Sequence, residues 1–192
     1  GKPADRAVTT PLGPVGAVAL CLGATVGYAQ EISGGQPSER STVEFSPVSP
    51  FIRIYAAQFA HRLTNADELI VGGAYTNIKY DDGQSHAPTF IMGYRGYIWR
   101  KAHGEYQLWP SYNWYWEANE EKYYEGAELW NELRFGYTFD FDIGQTPWFM
   151  NVQYLVGWGL YGDDSKPQSW KDQVGREGEA FAAPMDFMGW PF

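Results

Sequence analysis

One cysteine, Cys21, stands in 192 residues, so no disulfide forms within the chain and stability must come from strand pairing and packing. Basic residues are also few: 14 Lys+Arg against 23 Asp+Glu give a net charge of -9. With no basic stripe to neutralise phosphates, nucleic acid is excluded as a partner, and strongly anionic soluble ligands are disfavoured. Beyond residue 30 no run of about 20 apolar residues occurs, which excludes a membrane-spanning helix there. Helical periodicity is missing as well, because Gly and aromatic residues interrupt nearly every window before an i, i+3, i+4, i+7 stripe develops.

What is present is aromatic. Nine Trp and fourteen Tyr bring Phe+Trp+Tyr to 18 %. Rings with one apolar and one wet end suit a membrane–water boundary. The first 29 residues differ from the rest. Lys2 and Arg6 open them, a small-residue apolar stretch follows from Val15 to Val26, and Gly27 and Ala29 supply small residues for cleavage. This reads as a signal peptide over 1–29. Leu20, just before Cys21, is not the small residue that lipidation there requires. Residues 30–41, with Gly34, Gly35 and Pro37, read as a flexible polar segment.

From residue 42 the chain divides into period-two segments bounded by turn signals. The clearest is 126–141. Leu129, Leu133, Phe135, Tyr137, Phe139 and Phe141 share one face, and Glu128, Glu132, Arg134 and Asp140 the other. Segment 104–117 sets Tyr106, Leu108, Tyr112, Trp114 and Trp116 against Glu105, Gln107, Asn113 and Glu117. Segment 147–161 sets Trp148, Met150, Val152 and Tyr154 against Asn151 and Gln153, and in 88–101 Phe90 and Met92 alternate with Gly93 and Arg95. Segments 51–62 and 68–80 are strand-like without a clean face. Short 42–47 and terminal 182–192 complete eight.

Short links at 63–67, 101–104 and 142–146 alternate with longer polar ones at 81–87, 118–125 and 162–180; only the short link at 48–50 breaks the alternation. Short turns at one rim and long loops at the other, between strands long enough to cross a bilayer at a tilt, describe a membrane barrel. An open sheet would strand backbone polar groups in hydrocarbon, so the sheet must close. The expected fold is all-β: a closed antiparallel up-and-down membrane β-barrel of about eight strands over 42–192.

This arrangement, with Phe192 at the end and Trp190 and Met188 at alternate positions before it, resembles the small eight-stranded Gram-negative outer-membrane proteins. Asp186 and Pro191 depart from the usual last strand of that class. The resemblance is one of pattern, and it implies location in the cell outer membrane, contact with its lipid and lipopolysaccharide, and recognition of Phe192 by the barrel-assembly machinery.

Inside such a barrel, Arg95, Glu105, Glu117, Glu128, Glu132, Arg134 and Asp140 are expected to form a structural charge network, because buried charges must be paired. A Glu128–Glu132 pair for acid–base work has no spacing that singles it out. His61, His86 and His103 are too scattered for a metal site, and no Ser stands within two positions of His61. His103 falls in a tight turn and His86 in a loop, where an imidazole is solvated. Lipid A deacylase and palmitoyltransferase barrels carry His and Ser motifs, and neither pattern can be placed here. Acidic loop residues Asp81, Asp82, Asp163 and Asp164 lack the calcium-loop ladder. Tyr123, Tyr124 and Trp170 are expected as loop contacts to a partner or to headgroups. No catalytic set, metal or cofactor is indicated. The expected function is a non-enzymatic envelope barrel acting structurally or through its loops. Alternatives are a lipid A-modifying enzyme, a soluble barrel holding an apolar ligand, and a narrow pore.

Overall fold

The computed structural model describes residues 41–163, 165–171 and 180–192. The signal peptide expected at 1–29, and the polar segment after it up to residue 40, lie outside the described residues. Eight strands follow one another: β1 (Ser41–Phe45), β2 (Ile54–Arg62), β3 (Asp67–Tyr80), β4 (Gly83–Trp99), β5 (Ala102–Glu117), β6 (Lys122–Ile143), β7 (Thr146–Gly162) and β8 (Phe181–Pro191). Each pairs antiparallel with its sequence neighbour, and β8 pairs with β1, so one sheet closes in a ring. Among the described residues no helix is long and apolar enough to cross a membrane, a fact silent about strands.

The register fixes the geometry of the ring. The row leaving β1 at Thr42 passes Ala60, Ile70, Gly93, Gln107, Glu132 and Gly157 and reaches β8 at Phe181. Thr42 itself pairs with Pro191, ten residues further on. A stagger of ten over eight strands implies a tilt of about 40° and a radius of roughly 8 Å, an interior that side chains just fill. At that tilt each residue advances roughly 2.5 Å along the axis, so about ten residues cover a 25 Å apolar band. Strands β3 to β7, at 14 to 22 residues, overshoot it.

Ser41 and Phe192 meet at one rim, the terminal rim, where the Phe192 N–H donates to the Ser41 carbonyl at 3.0 Å. The β2–β3, β4–β5 and β6–β7 turns lie there too. The far rim carries the other four connections. Three of these differ from expectation. The 81–87 loop shrinks to 81–82, because β4 starts at Gly83, and the 118–125 loop shrinks to 118–121, because β6 starts at Lys122. These strand ends project past the apolar zone, so polar residues occupy both of their faces and the alternation that marks a strand disappears. The 48–50 link is in fact the eight residues 46–53, including a 3-10 turn at Ser49–Ile52 that ends on Arg53 at φ 62°.

Wall height is uneven. Among the described residues β1 pairs with β8 only over Thr42–Phe45, so most of β8 bonds there to β7 alone. Backbone groups alternate sides along a strand. Since Phe192 bonds toward β1, Pro184 turns its donor-less nitrogen toward the side that β1 does not reach. Pro191 faces β7 beyond Gly189, where β7 pairing has already ended. Neither proline removes a ladder hydrogen bond, which is where strand prolines are tolerated.

The two faces separate as the period-two pattern requires. Phe90, Met92, Phe135, Phe139, Val152 and Tyr154 are exposed on the outside, whereas Arg95, Glu105, Gln107, Arg134, Asn151 and Gln153 are buried within. Two outward polar side chains interrupt the apolar wall. Asn131 is buried beneath Tyr106, whose hydroxyl donates to it at 3.2 Å, and half-buried Asp186 lies opposite Val152.

Candidate functional site

The interior holds one continuous ion network toward the terminal rim. Arg95 is its centre. Its two terminal nitrogens grip Glu44 at 2.7 and 2.8 Å, Nη1 also donates to Glu68 at 3.0 Å, and Nε donates to Glu105 at 2.6 Å. Glu105 uses its other oxygen to accept from Arg134 Nη1 at 3.1 Å, and Arg134 binds Glu132 through Nε at 2.8 Å. Four carboxylates thus share two buried guanidiniums, with Arg62 reaching Glu68 from the terminal rim at 3.3 Å.

Neutral donors offset the excess of acid. Gln58 donates to Glu44 at 2.7 Å, Gln107 to Glu105 at 2.6 Å, and the Trp130 indole to Glu132 at 3.0 Å. Trp109 donates to Gln107 at 2.7 Å, and its ring lies 5.7 Å from the Arg134 guanidinium. The two indoles therefore form the boundary between the ions and a small apolar layer of Ala60, Ile70 and Ile91. Paired and capped in this way, the charges escape the penalty an unpartnered ion would carry.

A second polar group lies toward the far rim and is completed by the β7–β8 connection. Buried Lys166 binds Glu128 and sits 4.2 Å from the centroid of Trp170. Trp170 belongs to a one-turn helix, α1 (Gln168–Lys171), and packs on Gly162, where a Cβ would come within 2.8 Å of the ring. Ser169 bonds to Glu117, and Ser85 donates to Asn113 at 2.9 Å. At the start of this connection, hydrogen bonds from the Ser165 hydroxyl and N–H hold the Asp163 carboxyl below its ordinary range.

Of the seven charged residues the sequence assigns to the interior, Arg95, Glu105, Glu132 and Arg134 meet in the first network. Glu117 and Glu128 point inward but belong to the second group. Asp140 does not join either: its side chain is exposed and pairs with Lys101. Its face is the inward one, but β6 outruns β5, whose pairing stops at Tyr137, so Asp140 emerges at the terminal rim. Tyr123 and Tyr124 stand in β6 rather than in a loop, and Trp170 is buried, not presented. His103 is no solvated turn residue. It opens the inward face of β5, buried, with Nδ1 3.2 Å from the Lys101 carbonyl and Nε2 3.0 Å from Gln153. His86 lies in β4 and contacts the Tyr75 hydroxyl at 3.1 Å.

Glu44, Glu68 and Lys166 are network members that the sequence does not single out. Glu44 had a signal, lying between outward Val43 and Phe45. Lys166 had none, since nothing in a loop's local pattern says that it folds inward.

His61 gains a neighbour that sequence distance conceals. Ser41 pairs with it across β1 and β2, and Ser41 Oγ lies 3.0 Å from His61 Nδ1 on the outer surface of the terminal rim. Among the described residues no carboxylate hydrogen-bonds to the other ring nitrogen, and no three His, Cys, Asp or Glu side chains are placed to hold a metal. Glu128 and Glu132, the acid–base candidates, are each committed to a different cation.

No family model, curated protein or solved structure matches this chain.

Proposed function

We propose that this chain is an outer-membrane β-barrel protein, non-enzymatic, that supports the envelope or interacts through its far rim. One observation carries the reading: the apolar and aromatic face of the long strands points outward, while the interior is packed with paired ions. In water the reverse arrangement is favoured, because an exposed apolar wall of this extent forfeits its burial energy and invites association. Outward rings cluster near the terminal rim, with Trp148 and Trp190 at 5.1 Å, Tyr137 and Phe139 at 5.0 Å, and Phe59 and Phe192 at 5.9 Å. Tyr55, Tyr75 and Tyr112 mark the other edge of the apolar zone. Two aromatic girdles around a greasy band are the signature of such barrels.

Under this reading the outer wall contacts outer-membrane lipid and lipopolysaccharide, and exposed Phe192 is the handle for the barrel-assembly machinery. A soluble carrier of an apolar ligand requires the aromatic face inside, and a pore requires an interior free of the Arg95 network. Fractionation with outer membranes and heat-modifiable migration on gels test the proposal. Recovery of the mature chain as a detergent-free soluble monomer overturns it.

The Ser41–His61 contact favours a second reading, a lipid A-modifying hydrolase working at the membrane surface. Mass spectrometry of lipid A from cells with the protein, without it, and with Ser41→Ala decides the matter. An unchanged acyl pattern removes this reading.

A further inference from the structure

Two register rows on the outer face of β3 to β6 lie beyond the last apolar row. The first runs Asn77, His86, Trp114, Glu125, and the second Lys79, Gln84, Trp116, Tyr123. On each strand these residues share the outward parity of Tyr75, Pro88, Tyr112 and Ala127, which lie one step nearer the apolar wall. The eight residues therefore form one patch, two deep and four strands wide.

Its composition is unlike the wall below. Two indoles stand at alternate positions of β5, with Trp114 exposed and Trp116 half-buried, flanked by planar amide, imidazole and carboxylate groups. Neighbours hold these groups in place. The Trp114 N–H donates to Glu125 Oε2 at 3.1 Å, Gln84 Nε2 donates to Asn77 Oδ1 at 2.6 Å, and His86 Nδ1 is 3.1 Å from the Tyr75 hydroxyl. Trp116 packs on exposed Tyr123 with ring centroids 4.7 Å apart, and Trp114 on Tyr112 at 5.1 Å. Each polar group spends one atom on its neighbour, which leaves Glu125 Oε1, His86 Nε2, Asn77 Nδ2 and Gln84 Oε1 outside those bonds.

Flat rings edged by fixed polar planes match a pyranose, which has an apolar C–H face and a rim of hydroxyls. Charge narrows the choice further. Lys79 and Glu125 cancel within the patch, while the turns beside it bear Asp81, Asp82, Glu120 and Glu121. That field repels phosphorylated sugars and anionic lipid headgroups. We propose that this patch is a binding platform for neutral hexose units of a surface glycan, with sugar faces on Trp114 and Trp116 and hydroxyls on Asn77, Gln84, His86 and Glu125. The envelope reading enters only in saying where such a glycan is met; the platform belongs to the sheet itself.

Detergent-purified protein is passed over immobilised neutral gluco-, galacto- and manno-oligosaccharides, over phosphorylated sugars, and over phosphatidylglycerol vesicles. Retention by at least one neutral series is expected, lowered tenfold or more by Trp114→Ala or Trp116→Ala and unchanged by Trp148→Phe at the opposite rim. Heat-modifiable migration checks that each variant folds, and the milder Trp116→Phe and Glu125→Gln, expected to weaken retention several-fold, stand in for any that does not. Absence of retention on every neutral series overturns the proposal. So does vesicle capture that depends on the same Trp residues, which makes the patch a lipid anchor. Fractionation is read separately, so a chain that stays with outer membranes while ignoring sugars loses this proposal alone.

Discussion

Arg95 and Glu105 face each other across β4 and β5, Nε to Oε2 at 2.6 Å, and both side chains are closed off from solvent. Because Glu105 also holds Arg134, this one contact joins two halves of the interior that come from five different strands.

Arg95→Met is expected to destabilise the fold by about 3–5 kcal/mol, because it leaves Glu44, Glu68 and Glu105 buried with fewer cations. Glu105→Gln should cost less, since an amide still accepts from a guanidinium. Urea midpoints in detergent check both, and an Arg95→Met protein as stable as the parent would mean that the buried acids do not depend on this guanidinium.

Met92 stands exposed in the middle of the outer wall, between Val71 and Leu108. In hydrocarbon, Met92→Arg should cost about 2–4 kcal/mol. On a water-exposed surface the same change stays within about 0.5 kcal/mol. Refolding titrations into lipid vesicles separate the two values, and the smaller one speaks against the membrane reading.

At Gly157 an added Cβ would fall 2.6 Å from the Trp130 indole, whose N–H is fixed on Glu132. Gly157→Val therefore has to displace a capped ring, at about 1–3 kcal/mol. The Trp130 emission should shift along with the unfolding midpoint; a valine that leaves both unchanged contradicts the packing.

Phe192 is exposed and touches Phe59, with little else at stake in the finished fold. Phe192→Ala should lower the fraction of chains assembled in cells while changing stability after purification by no more than about 0.5 kcal/mol. Equal loss in both measurements would make the ring a packing element instead of a handle.

The eight strands were legible because β4 to β7 each place an apolar face against a polar or charged one. Phe135 against Arg134 and Met92 against Arg95 leave the register no freedom. β2 and β3 were ambiguous for a physical reason: their inward residues Ala56, Ala60, Ile70 and Ala74 line the apolar layer, so both faces look alike. The strand ends at 83–87 and 122–125 looked like loops because apolar and polar residues do not alternate along them. In the site, Arg95, Glu105, Glu132 and Arg134 followed from parity alone. Asp140 was misplaced because parity gives the face of a strand but not where its neighbour stops. Lys166 and the Ser41–His61 contact depend on partners 38 and 20 residues away along the chain, which no local window records.

The low wall beside β1 has a final consequence. Among the described residues nothing pairs with most of β8 on its β1 side, and a bare strand of that kind is where fibrils and runaway polymers grow. Pro184 sits there with no hydrogen to give, so an incoming chain finds its hydrogen-bonding template interrupted. A copy of this protein carrying Ala at 184 should be the one that clumps.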